Sequence, residues 1–399
     1  MQHSTYLIIG AGMAADAGVH GIREVDPEGT ITIVGAEFDP PYKRPLLSKG
    51  LWHGMSFDKV WSNTAKAGVD LRLGRSIRRL ELSGHLAIDD RGETYRYDTA
   101  LLATGSRPRQ LFEGGHIAIN YRTLQDYRQL RALADRKRRV AVIGGGFVGS
   151  EITASLAANG NTVTMIIPHN TIGNRIFPLK LGRFLNDYYR DKGVTLMTGQ
   201  RVTDVRKDGA ADVLRMQDVD TDNEQEIVVD GVVAGIGALP NVELARDAGL
   251  AVDNGILVDE HLRTGHPDVY AAGDNAAFWQ PALGEWWRSE HEDNAKTMGR
   301  AAGRNMAGRA EHYHYLPYFY SDVFELGYEA VGEIDARLET VADWEEPYRK
   351  GVIYYQRDDR VRGVLLWNIR DRVDSARALI MSKEPIPAGR LGGRLLAMA

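Results

Sequence analysis

The sequence contains no cysteine, which excludes structural disulfides, thiolate metal sites, iron–sulfur ligation and any redox-active dithiol. Redox chemistry in this chain therefore belongs to a bound cofactor, and the chemistry of a thiol-based sulfide or disulfide reductase is ruled out. Long apolar runs are also lacking; none approaches the roughly 20 residues that a membrane-spanning helix needs. Neither sign of charge dominates, since a formal net charge of −5 offers no global attraction for nucleic acid or an anionic membrane. The chain passes almost at once from Met1 into the strand Tyr6–Ile9. No signal or transit peptide is expected there, and the cytoplasm is the expected location.

What is present is an ordinary globular composition, 43% hydrophobic and 26% charged over 399 residues, a length that suggests two or three domains. Two strand–glycine–helix turns organise it. In Tyr6-Leu-Ile-Ile-Gly10-Ala-Gly12-Met-Ala-Ala15, a strand meets G-x-G-x-x-A. In Val140-Ala-Val-Ile-Gly144-Gly-Gly146-Phe147-Val148-Gly149-Ser-Glu151, a second strand meets G-x-G-x-x-G. Such glycines let backbone approach a pyrophosphate, while the helix N-terminus offers free N–H groups and a positive dipole end. One such turn also occurs for packing reasons; two in the same chain imply two nucleotides.

The strand Thr30–Val34 after the first turn ends just before Glu37, placed to read an adenosine ribose. The equivalent strand after the second, Thr162–Ile167, ends at Pro168-His169-Asn170, with His169 where an acid is expected and Arg175 nearby. A cationic or neutral side chain there does not repel a 2′-phosphate. Glu151, directly after a pyrophosphate cradle, is an odd neighbour for a phosphate.

Residues 69–98 alternate as strands and are expected to form a meander. Ala103-Thr104-Gly105 ends a buried strand where backbone passes close to a ligand. Val228–Gly237 reads as one apolar strand closing at Gly235-Ile-Gly237. Gly273-Asp274 delivers an acid from a strand toward a helix over Asn294–Ala307, able to accept hydrogen bonds from a polyol. Helical spacing covers Leu124–Ala134. After residue 316 aromatics cluster and strands precede a single helix, Ser375–Met381, as in a separate α+β domain. The expected fold is α/β, with two Rossmann-like, doubly wound nucleotide-binding domains plus a C-terminal α+β domain.

With these segments in order, the chain resembles the pyridine-nucleotide flavoprotein reductases of glutathione-reductase-like fold, in their ferredoxin-reductase and apoptosis-inducing-factor branch. The loop Tyr42-Lys-Arg44-Pro-Leu-Leu-Ser-Lys49 (by itself a basic surface loop), Trp287-Arg-Ser-Glu290-His291, Gly327–Gly332 and Gly363–Asn368 carry the match to that branch. The resemblance implies an FAD-binding domain over 1–122 and 253–316, an NAD(P)-binding domain over 123–252, and a C-terminal interface domain over 317–399. It implies FAD held by Gly10, Gly12, Ala15, Glu37, Arg44, Lys49, Ala103, Thr104, Gly105, Arg109, Gly273, Asp274, Glu290, His291 and Tyr320. It places NADH or NADPH on Gly144, Gly146, Phe147, Val148, Gly149, Glu151, His169, Arg175, Gly235 and Gly237. Lys49 and Glu151 would form the catalytic pair beside the flavin, which accounts for the odd carboxylate. No metal is expected.

The activity implied is an FAD-dependent NAD(P)H oxidoreductase that passes hydride from nicotinamide to flavin. Electrons would then go to a small carrier protein of ferredoxin or rubredoxin type, or to a quinone or oxygen. The alternative is a redox-responsive flavoprotein like the apoptosis-inducing factor, which holds the nucleotide in a long-lived complex and changes oligomeric state. A homodimer stays open, and neither a nucleic-acid partner nor a membrane span is expected.

Overall fold

The computed structural model describes residues 2–112 and 117–396, and the chain forms two compact units. The first comprises Met1–Arg44, Ser56–Arg107 and Leu239–Phe319; the second comprises Pro45–Met55, Pro108–Ala238 and Tyr320–Ala399.

In the first unit, β1 (Gln2–Ile9) leads to α1 (Met13–Arg23) and returns as β2 (Ile31–Gly35), parallel to β1 with Tyr6 opposite Ile31. β3 (Val69–Leu73) adds to β2, and β6 (Thr94–Leu102) lies parallel to β1 on its other side, paired from Tyr95 to Leu102. The strand Val269–Ala271 completes the parallel array beside β6. Tyr6, Leu7, Ile8 and Ile9 are all buried, the continuous apolar run of a strand covered on both faces. α1 and the helix Glu292–Met306 touch backbone to backbone, because a Cβ on Gly299 would stand 2.3 Å from the Ala14 carbonyl oxygen. Only β4 (Ile77–Glu81), β5 (Leu86–Asp89) and β6 form the antiparallel meander. Val69–Leu73, expected to belong to it, is instead a parallel edge strand; alternation marks a half-buried strand without fixing its pairing direction.

The second unit repeats the pattern. α2 (Leu124–Ala134) starts at a Thr123–Asp126 capping box and precedes the strand Arg139–Ile143; α3 (Phe147–Ala158) then crosses to the parallel strand Thr162–Ile166. Thr195–Met197, Gly231–Ala234 and Ile119–Asn120 extend this parallel sheet. The single strand expected over Val228–Gly237 divides at Asp230, whose carboxylate binds the Arg139 side chain. Glu224–Val229 closes a three-stranded antiparallel sheet, while Gly231–Ala234 enters the parallel one. The antiparallel layer packs Val202, Leu214 and Met216 on Ala141, Ile143 and Ile166. The C-terminal segment builds a five-stranded antiparallel sheet with the helix Val373–Ser382. In its core, Trp367 stacks on Tyr328 with centroids 5.6 Å apart, and Phe177 meets both edge-on. The fold is thus α/β with two Rossmann-like parallel sheets and a C-terminal antiparallel domain. Among the described residues no helix is long and apolar enough to cross a membrane.

Candidate functional site

The glycines of the first turn have separate tasks. Gly10 holds φ at +116°, and a Cβ there would lie 2.0 Å from the Ala103 carbonyl oxygen. Gly12 caps α1 without a side-chain hydrogen bond, and a Cβ on it would meet nothing within 4 Å. The first glycine therefore serves the chain, while the second leaves room for a ligand above unpaired helical N–H groups. Ala15 is fully buried beneath them. Ala103, Thr104 and Gly105 form the neighbouring turn, stitched by Thr104 Oγ1 donating to the Asn241 carbonyl (2.8 Å) and Asn275 Nδ2 donating to Thr104 Oγ1 (3.1 Å). Asp274, buried after Gly273, accepts a 2.7 Å hydrogen bond from Ser106 Oγ. The Glu37 carboxylate accepts hydrogen bonds from Tyr42 Oη (2.6 Å) and Arg44 Nη2 (2.9 Å). The structure thus places two expected FAD contacts, Glu37 and Arg44, in one ion pair. Arg288 ties Glu290 (2.6 Å) to the Asp274 carbonyl (3.0 Å), and His291 stacks on Phe319 at 4.2 Å.

In the second turn, a Cβ on Gly144 would lie 2.4 Å from the Gly235 carbonyl oxygen, and one on Gly149 would lie 2.1 Å from that of Gly144. Gly146, the N-cap of α3, again faces open space and carries no side-chain cap. Phe147 is partly exposed and Val148 exposed at this helix start. Gly237 accepts the Arg109 backbone N–H at 2.9 Å, and the Arg109 side chain lies alongside it. Arg109, expected on FAD, thus sits in the second unit beside the end of the strand Gly231–Ala234.

One turn into α3, Glu151 is 4% exposed. Its Oε2 accepts from Ser48 Oγ (2.5 Å), and its Oε1 from Ser321 Oγ (2.6 Å) and the Lys49 ammonium. A lone buried carboxylate is costly, and this one is compensated by a full charge and two hydroxyls. The Lys49 ammonium also lies 5.2 Å from the Tyr320 ring centroid, within cation–π range. Ser155 Oγ donates to the Ser48 carbonyl (3.0 Å), so α3 fixes the loop that carries Lys49. Burial, together with the negative charge of Glu151, holds the Tyr328 phenol well above its ordinary pKa, and it hydrogen-bonds Ser321. Ser48, Ser321 and Tyr328 were not found by sequence reasoning: they lie 103, 170 and 177 positions from Glu151, and isolated hydroxyls carry no spacing signal.

Two cavities flank Phe177. The smaller, with room for about 20 Å³, is lined by Gly146, Phe147, Ser150, Tyr189, Ser321 and Tyr328. The larger, about 400 Å³ and open, is lined by His169, Asn170, Asn174 and Asp220 among others. Arg175 is exposed nearby in sequence. Asp220, which sequence reasoning did not single out, brings a carboxylate to this cavity. It lies on a turn whose neighbour, Val219, donates its N–H to the Gly199 carbonyl, while Gly199 N–H donates to the His169 carbonyl. Two capless helix starts with open glycines, each beside the ends of parallel strands, fit two dinucleotides.

Known proteins supply the remaining context. The sequence pattern described as "Pyridine nucleotide-disulphide oxidoreductase" matches residues 4–299. That of "Apoptosis-inducing factor, mitochondrion-associated, C-term" matches 302–347 and 342–382. The chain is 32% identical to apoptosis-inducing factor 1 of Dictyostelium discoideum, over 97% of this chain and 80% of that protein. It is 33% identical to the ferredoxin–NAD(+) reductase component of the Burkholderia cepacia anthranilate 1,2-dioxygenase system, over 95% of each. The structure superimposes on putidaredoxin reductase, solved in covalent complex with putidaredoxin, with a TM-score of 0.88 and 26% identity over 100% of this chain and 99% of that one. Both nucleotide cradles, the cysteine-free chemistry and these likenesses converge: the chain belongs to the pyridine nucleotide-disulphide oxidoreductase family, as an FAD-dependent oxidoreductase of pyridine nucleotides.

Proposed function

We propose that this reductase delivers electrons from NADH or NADPH to a small iron–sulfur carrier of ferredoxin type. The observation that carries the reading is the absence of cysteine in a chain with two nucleotide cradles: no thiol relay exists, so electrons leave the flavin for an external acceptor. The likeness to reductases of ferredoxin-type carriers supports it. When bound, FAD supplies the two-electron to one-electron conversion that such an acceptor requires.

The residues divide the work. Gly12 and Gly146, with the helix N-termini behind them, take the two pyrophosphates, and Asp274 accepts from the ribityl hydroxyls. Glu37 keeps further lone pairs for a ribose, because a carboxylate accepts about four hydrogen bonds. Arg109, Ala103–Gly105, Glu290, His291 and Tyr320 complete the FAD contacts. Glu151 holds Lys49 by charge, and Ser48 and Ser321 hold Glu151. With FAD bound as the family resemblance implies, the Lys49 ammonium held in this way would present a fixed positive charge to the flavin. His169, Arg175, Gly235 and Gly237 line the nicotinamide nucleotide. The functional domains are 1–122 with 253–316, 123–252 and 317–399, and the location is the cytoplasm. The test is NADH-driven reduction of cytochrome c with and without a [2Fe–2S] ferredoxin. Stimulation on the order of tenfold or more is expected, and equal rates would reject a ferredoxin acceptor.

The likeness of the C-terminal segment to the apoptosis-inducing factor favours one second reading, a redox-responsive homodimer. Size-exclusion chromatography with and without NADH separates the two: a dimer formed only with NADH, together with slow turnover, selects the second.

A further inference from the structure

Away from both cradles, the first unit gathers Glu260, His261 and His312 so that one ligand atom from each lies within 4.8 Å of the others. The arrangement is built rather than incidental. Asn305, 2% exposed, donates to the His261 carbonyl (2.8 Å) and the Glu311 carbonyl (2.9 Å) and accepts the Glu311 N–H (2.8 Å). It therefore pins the segment 260–261 against the segment 311–312, and Tyr313 N–H reinforces the pair by donating to the Glu260 carbonyl (2.7 Å). His261 Nδ1 faces the Glu311 carbonyl oxygen at 3.3 Å. A carbonyl only accepts, so Nδ1 carries the proton and Nε2 presents a lone pair. That lone pair lies 4.0 Å from Glu260 Oε1, and His312 Nδ1 lies 3.6 Å from the same oxygen. With neutral imidazoles, each of the three residues can offer one electron pair from atoms within 4.8 Å of one another.

We propose that Glu260, His261 and His312 form a binding site for a divalent transition metal of the zinc class. Ligands that hold zinc tetrahedrally at about 2.0–2.1 Å stand roughly 3.3–3.5 Å apart, so the observed separations close with small side-chain rotations. The His261 Nδ1–H to carbonyl bond is the outer-shell contact that fixes a metal-ligating histidine. Water supplies the fourth ligand. Bound metal staples the segment that follows helix Glu292–Met306 to the turn at Glu260.

A second trio, His85, His266 and Asp268, lacks this support. There His266 Nδ1 accepts the Asp268 backbone N–H at 3.4 Å, which puts the ring proton on Nε2, the atom a metal would need. It serves as an internal control.

The test is calorimetric titration of Zn²⁺ into the full chain, with circular dichroism to verify folding of each variant. A single strong site is expected, weakened at least about tenfold in His261→Ala and in His312→Ala, and unchanged in His85→Ala. His312→Gln, which keeps the side-chain bulk, is expected to lose affinity likewise. Unchanged affinity in the His261 and His312 variants, or an equal loss in His85→Ala, would overturn the assignment.

Discussion

Glu151 anchors the site, because a buried carboxylate is costly unless its surroundings compensate it. Three donors, from the loop at Ser48–Lys49 and the strand at Ser321, supply them. Removing one partner of such a pair leaves an uncompensated charge, at a cost of about 3–5 kcal/mol. Lys49→Met is therefore expected to lower the denaturation midpoint clearly, and Lys49→Met combined with Glu151→Gln is expected to recover most of the loss. Equal midpoints for the single and double variants contradict a charge pair. In stopped flow, Glu151→Gln with FAD content unchanged is expected to slow flavin reduction by NADH on the order of tenfold or more. How far this was legible in sequence differs by residue. Glu151 stood out as an acid beside a phosphate cradle, and its pairing with Lys49 came from family resemblance. Ser48 and Ser321 could not be found, since only the folded chain brings them there.

At the level of elements, strand–glycine–helix turns were readable because each glycine answers a local need of backbone and ligand. The structure separates the two needs. Gly144→Ala forces a Cβ against the Gly235 carbonyl at a positive φ, and misfolding or loss of soluble protein is expected. Gly146→Ala meets open space, so thermal stability and FAD content should stay near wild type while the NADH Kd rises about tenfold. Equal stability loss in both variants would assign Gly146 to packing. Strand direction was not legible: Val69–Leu73 alternates like a meander strand yet pairs in parallel. The division at Asp230 was hidden inside an apolar run. At the end of the strand Thr162–Ile166, His169 stands in place of an acid and Asp220 lines the same cavity, which under the proposed function takes the ribose end of the nucleotide. Asp220→Asn is therefore expected to lower the KM for NADPH several-fold, on the order of 1 kcal/mol, with little change for NADH. An unchanged NADPH KM would place Asp220 outside the nucleotide's reach.

At the level of the whole molecule, the fold class followed from two features of sequence: the repeated cradle and the change of composition after residue 316. The antiparallel layer over Gln200–Val229 and the register of the C-terminal sheet depend on pairings between distant segments, which periodicity within one segment does not encode. The chemistry was bounded most firmly by what is missing, because without cysteine any electrons taken from a nucleotide must pass through the flavin. The most direct measurement is an anaerobic titration of the purified, FAD-loaded protein with NADH and with NADPH, followed by flavin absorbance. About one equivalent of at least one nucleotide is expected to bleach the flavin band. An oxidised spectrum that persists with both nucleotides in excess would contradict the proposed function.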